Sequence, residues 1–244
     1  MTRAVVMAGW DSVPHLSEAE KARLLESIPP AFREARMKGI PTIGEGAIYP
    51  LRLDDIVVDD FPVPRHWPRG YGMDVGWKAT AGVCGAWDRD PGKDIVYLYR
   101  EYKRGQAEPP VHTAAIKGFG ANLWGAIDPA ARGRNQKDGS RLMTDYQALG
   151  LQLIPAANAV EAGLLACYER FTTGRLKIFR SLTATQAELK LYRREDGKVV
   201  KENDHLMDCM RYLVMTLEAL ASLWTPEGAP ETVSEGGSKS WMGR

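Results

Sequence analysis

The chain has 244 residues, enough for one substantial domain with extensions or for two small domains. With 44% hydrophobic and 26% charged residues it has the composition of an ordinary globular protein, not of a disordered or fibrous one. The formal net charge of +1 excludes a global basic field, so any contact with a polyanion has to come from local clusters.

Three zones follow one another along the chain. Residues 1–67 are rich in proline and loops and are expected to form a connector or arm. Ser17 and Glu20 have the spacing of a capping box, which predicts a helix ending near Ile28. A second short helix is expected after Pro30, stopping at Gly39, and extended segments carry Pro41, Pro50, Pro62, Pro64 and Pro68. Residues 68–223 alternate strand and helix patterns, as an α/β domain does. Strands at 71–75, 80–87 and 95–102, with a turn at Arg89-Asp90-Pro91-Gly92, predict an antiparallel meander.

A helix at 111–120, a strand at 123–127, a helix at 140–149 and a strand at 151–154 come next. A helix at 160–172 and a strand at 176–179 follow them. Residues 191–201 read as a hairpin turning at 195–198, and 203–223 as the last helix. Leu206, Met210, Leu213, Val214, Leu217 and Leu220 fall on one face of that helix. Residues 224–244 are rich in Gly, Ser, Pro and Glu and are expected to be a mobile tail.

Three carboxylates stand out. Asp74 ends the first strand between glycines, in Gly72-Met73-Asp74-Val75-Gly76, and Asp128 ends a later apolar strand, before Pro129. A turn or cap aspartate accounts for either one alone. If the two strands lie side by side, the two charges need a cation to offset their repulsion. Asp208 lies in the last helix, with Asp204 four residues and His205 three residues before it. A solvated helix face with Asp204 as N-terminal cap accounts for that segment equally. Taken together, three acids on two strands and a helix suit Mg²⁺ or Mn²⁺. Two such ions roughly 3.5–4 Å apart activate a water and stabilise the leaving oxygen of a phosphodiester.

Local basic clusters flank these acids. Arg132, Arg134, Lys137 and Arg141 follow Asp128 in a polar loop suited to steering phosphates, although such loops are often merely solvated. Arg193 and Arg194 in the hairpin are a second candidate DNA-binding pair. No GxxxxGK[ST] motif occurs, so no ATP-binding P-loop is recognisable. Cys84, Cys167 and Cys209 show no CxxC or Cys/His spacing, which argues against a zinc site and for a reducing compartment. No run is apolar enough to span a membrane, and MTRAVVMAGWD is not a signal peptide, so a cytoplasmic protein is expected.

In order and spacing these segments resemble the nuclease half of the large terminase subunit of tailed bacteriophages, from about residue 10 to 220. Trp10-Asp11-Ser12-Val13-Pro14-His15-Leu16, Ser27-Ile28-Pro29-Pro30, Arg36-Met37-Lys38-Gly39-Ile40-Pro41 and Gly46-Ala47-Ile48-Tyr49-Pro50 are similar to that family's connector between ATPase and nuclease. Gly72-Met73-Asp74-Val75-Gly76, Ile127-Asp128-Pro129-Ala130 and the segment from Asp204 to Tyr212 are similar to its three acidic sites.

The resemblance implies an RNase H-like fold, a mixed central sheet of a three-strand meander plus parallel strands flanked by helices. It implies two-metal cleavage of concatemeric viral DNA, with Asp74, Asp128 and Asp208 as metal ligands and catalytic residues, and with Asp204 or His205 as auxiliary groups. It implies double-stranded DNA, a terminase ATPase domain, the small terminase subunit and a portal protein as partners, in the cytoplasm of a bacterial host. Without an ATPase motif the chain is not expected to translocate DNA by itself. Two other readings use the same residues: an RNase H-like resolvase or integrase, and a non-catalytic module docking on DNA or portal.

Overall fold

The computed structural model describes residues 10, 17–27, 37, 46–132, 142–195 and 198–226. The helix expected after Pro30 and nearly all of the expected tail lie outside the described residues. Helix α1, Glu18–Ser27, starts at the expected box: Ser17 N–H donates to Glu20 Oε2 at 2.9 Å, and Glu20 N–H donates to Ser17 Oγ at 3.3 Å.

Strands β2 (Arg69–Asp74), β3 (Thr80–Asp88) and β4 (Ile95–Arg104) form the expected antiparallel meander. Beyond β2, β5 (Trp124–Ile127) and β6 (Gln152–Pro155) add in parallel. Beyond β4, β7 (Leu176–Phe179) and then β1 (Val57–Val58) also add in parallel. The result is one seven-stranded mixed sheet in the order β1-β7-β4-β3-β2-β5-β6.

Helices cover both faces. Helices α3 (Pro109–Lys117) and α4 (Leu142–Ala148) lie over a core of Tyr71, Met73, Cys84, Ile127 and Leu153. Helices α5 (Val160–Thr172), α6 (Thr183–Leu191), α7 (His205–Met215) and α8 (Leu217–Leu223) build the other core with Ala81, Val83, Val96, Leu98 and Ala126. The central strand β3 is buried along its whole length, as a strand covered on both faces must be.

Several features depart from the sequence reading. Residues expected to belong to a connector supply the one-turn helix α2 (Leu53–Ile56) and strand β1, and Tyr49, Ile56 and Trp67 are buried. Helix α6 occupies a stretch for which no element was expected. Its first N–H groups are received by Glu101 of β4, from Ala184 at 3.0 Å and Thr185 at 2.7 Å, so its start is fixed from a remote strand. The expected hairpin is reduced to β8 (Arg194–Glu195) and β9 (Lys198–Val199). The long last helix is two helices. Thr216 stands between α7 and α8 at φ −113° and ψ 8°, with its Oγ1 accepting from Ala157 N–H at 3.2 Å.

Among the described glycines, the closest approach of a neighbouring backbone is at Gly72, between β2 and α7. A Cβ added to Gly72 would lie 1.8 Å from the Cys209 carbonyl oxygen, so only glycine fits beneath this turn of helix. Gly72→Ala must push α7 off the sheet. We expect a loss of about 3 kcal/mol or more in urea denaturation, and a loss under about 1 kcal/mol would refute this packing.

Candidate active site

Period-two alternation decides which way Asp74 points. Tyr71 and Met73 enter the core under α3 and α4, so Gly72 and Asp74 face α7. Asp128 is the residue after β5. Because β5 pairs with β2, Asp128 N–H reaches Met73 O at 3.0 Å, and the strand ends bearing Asp74 and Asp128 are neighbours. Asp128 Oδ1 accepts from Ala130 N–H at 3.0 Å, which ties it into the single 3₁₀ turn Pro129–Arg132.

The helix brings the other groups. His205, the first residue of α7, donates from Nδ1 to Asp74 Oδ2 at 2.8 Å. One turn on, the Asp208 side chain is 10% exposed. Its Oδ1 accepts from Arg211 Nη2 at 2.9 Å and Nε at 3.3 Å, and its Oδ2 from Lys201 Nζ at 3.0 Å. Arg211 is fully buried and donates also to Asn158 Oδ1 at 3.1 Å. Lys201 Nζ lies 3.0 Å from Asp204 Oδ2 as well, and so bridges two buried carboxylates.

The electrostatics record this crowding. Burial raises the Asp74 carboxyl above its ordinary range; the His205 bond pulls it down, and Asp208 and Asp128 push it up again. Tyr212 is raised first by burial and then by the charges of Asp128, Asp208 and Asp74, with Arg211 acting the other way. Burial works against the charge on Lys201, but Asp208 and Asp204 outweigh it and hold the ammonium above its ordinary value. The Asp74 bond raises His205.

No family model matches the sequence. The chain is 30% identical over 219 residues, 86% of its length, to the large terminase subunits of Salmonella phage P22 and Enterobacteria phage LP7. It spans 43% and 46% of those proteins, less than half of the curated relatives it matches. The solved nuclease domain of the P22 large terminase superposes with a TM-score of 0.66 at 28% identity, over 74% of this chain and 96% of that domain.

In sequence and in fold the chain resembles the nuclease domain of the phage P22 large terminase. Two more distant structures share the fold. The large terminase of one thermophilic bacteriophage has a TM-score of 0.59 at 21% identity, over 86% of this chain and 55% of that one. The large terminase nuclease of a second thermophilic phage, G20c, solved with bound magnesium, has a TM-score of 0.50 at 13% identity, over 71% of this chain and 98% of that one. The mixed sheet and its helices are thus an RNase H-like arrangement.

Within this domain the expected residues fall into distinct groups. Asp74, Asp128, Asp208, Asp204 and His205 gather around α7 and the ends of β2 and β5. As placed, no three His, Cys, Asp or Glu side chains among the described residues close around one metal position. Both Asp208 oxygens are turned to Lys201 and Arg211 instead. Asp204 does not cap α7: it makes no side-chain cap bond, and Glu188 receives the Leu206 N–H at 2.7 Å. The solvated helix face is also corrected, since every residue from Leu206 to Val214 is buried.

Arg193 is paired with Glu195 at 2.8 Å and Arg194 with Glu161, so neither cation is simply presented to solvent. Arg132 closes the 3₁₀ turn after Asp128, whereas Arg134, Lys137 and Arg141 lie outside the described residues. Sequence reasoning missed the supporting roles of Lys201, Arg211, Asn158 and Tyr212. Arg211, at i+3 from Asp208, carried the one local signal.

The His205–Asp74 pair sets a pH dependence in the metal-free protein. A raised imidazole contributes stability that is complete below its ordinary value of 6.5 and is lost as pH rises through its folded value. The wild-type urea midpoint should therefore fall above pH 6.5, and His205→Gln should flatten that part of the curve. Identical slopes in the two proteins would contradict the pairing.

Proposed function

We propose that this chain is a metal-dependent endonuclease that hydrolyses double-stranded, concatemeric phage DNA during genome packaging. The observation that carries this reading is the gathering of Asp74, Asp128 and Asp208 from two adjacent strand ends and the helix that crosses them, in a fold shared with the P22 nuclease domain. On this reading its partners are the ATPase half of a large terminase, the small terminase subunit and a portal protein, in the host cytoplasm.

The donor set fits a hard divalent cation. Its ligating atoms are carboxylate oxygens, and Asp74 is under repulsion from both other acids, which a cation at this site relieves. Asp74 and Asp128 would hold Mg²⁺ or Mn²⁺, as a pair of ions, with Asp208 joining as it turns from Lys201. Bound there, the ions supply an activated water and a counter-charge for the leaving oxygen. The protein's own groups do the positioning. His205 fixes the orientation of Asp74, while Arg211 and Asn158 hold Asp208 against β2. Arg132, Arg134, Lys137 and Arg141, with Arg193 and Arg194 more remotely, are the proposed phosphate contacts.

Nicking of supercoiled plasmid with Mn²⁺ tests the reading. Asp128→Asn should slow it by about two orders of magnitude or more. Unchanged nicking would remove Asp128 from the site, and no nicking by the wild type with either Mg²⁺ or Mn²⁺ would favour the docking module. Arg134→Ala should weaken DNA binding and make the dependence of log Kd on log salt shallower by about one. An unaltered slope would take that loop off the DNA.

A further inference from the structure

Asp74 is followed at once by the 75–79 loop that turns β2 into β3. Gly76, Trp77 and Lys78 are exposed there, and Trp77 keeps 66% of its surface in solvent. An indole is costly to leave in water, and a loose loop would fold it down onto the protein. This loop is not loose. Gln106 N–H donates to Trp77 O at 3.0 Å and Thr80 Oγ1 to Gly76 O at 3.2 Å. A Cβ on Gly105 would stand 2.1 Å from Lys78 O, so the backbone beyond β4 is pressed directly against the loop. Held on both sides, the indole stays outward.

The surroundings define what it meets. Register places Asp74 opposite Ala81, Ala81 opposite Lys103, and Thr80 opposite Arg104, so the loop and the end of β4 share the sheet end that bears Asp74. Lys78 and Arg104 are exposed, and neither has an ion-pair partner among the described residues. An exposed aromatic side chain on the same sheet end as unpaired cations suits a nucleic acid, whose bases stack on the ring while its phosphates take the charges. An apolar protein partner would need a wider apolar patch than one residue.

We propose that Trp77 is a DNA-contacting residue, stacking on a base or sugar of the strand that approaches Asp74, with Lys78 and Arg104 on the adjoining phosphates. The proposal rests on the nuclease reading for the identity of the substrate, and the two can fail separately.

The test is fluorescence anisotropy of a labelled DNA duplex with the full chain in Ca²⁺, alongside plasmid nicking in Mn²⁺. Trp77→Ala should bind at least about five times more weakly with an unchanged salt slope, and Trp77→Phe should keep most of the affinity. Lys78→Ala should make the slope shallower by about one. Thermal melting of Trp77→Ala should match the wild type, because the side chain packs on little. Wild-type affinity in Trp77→Ala, or equal loss in Trp77→Phe, overturns the proposal. If Trp77→Ala loses affinity but the wild type never nicks plasmid, the DNA contact stands and the nuclease reading falls. If the wild type nicks and Trp77→Ala binds DNA normally, the exposed indole serves a protein partner instead.

Discussion

Where β2 passes beneath α7, Gly72 leaves no side chain between strand and helix, and the Cys209 carbonyl occupies the space a Cβ would take. The helix consequently lies at backbone contact on the strand. A helix and a sheet that carry ordinary side chains at their contact stand much further apart. From that separation Asp208 and His205 would sit too far from the end of β2 to share a site with Asp74. The short spacing makes possible the 2.8 Å bond from His205 to Asp74, and it places Asp208 within reach of the same repulsions. The chemistry of the site therefore begins with an absent methyl group.

Close spacing concentrates negative charge in a poorly solvated place, and such charge persists only with counter-ions or hydrogen bonds. The two cations that face Asp208 are not equivalent. Arg211 is fully buried and tied also to Asn158, so it is part of the architecture. Lys201 reaches in from the segment after the small hairpin with a side chain 61% exposed. One counter-ion is fixed and the other is free to swing toward solvent. On the proposed reading, a metal at Asp208 would require a rearrangement of a surface lysine rather than of the core.

A relay of helix starts keeps α7 in position. Glu101 of β4 receives the first N–H groups of α6; Glu188 of α6 receives the Leu206 N–H of α7 and pairs with Lys103 of β4 at 2.6 Å. Each acid sits at the positive end of a helix dipole, where a carboxylate is most stabilising. These caps come from remote strands and helices, and for that reason no local signal marked α6. Its nine residues, two leucines and two alanines among Thr, Gln, Glu and one Lys, make no side-chain cap bond of their own. The same holds for β1, whose two residues become a strand only because β7 offers them a free edge.

The sequence by itself determined the meander, the alternation that follows it and the two strand-end aspartates. Strand and helix periodicity are local, and β-branched runs, capping boxes and Gly-Pro turns state them within a few residues. It also marked Asp204, His205 and Asp208 by their order relative to the other acids, through family likeness rather than through helical spacing, which left that face open to water. Tertiary structure alone decided that the face is buried, that Asp204 pairs with Lys201 instead of capping its helix, and that residues 49–67 pack against the central sheet. These depend on which surfaces meet, and the meeting is governed by packing at positions such as Gly72 and Thr216. There a small residue or a committed hydroxyl has no distinctive local pattern, yet it sets where an entire helix lies.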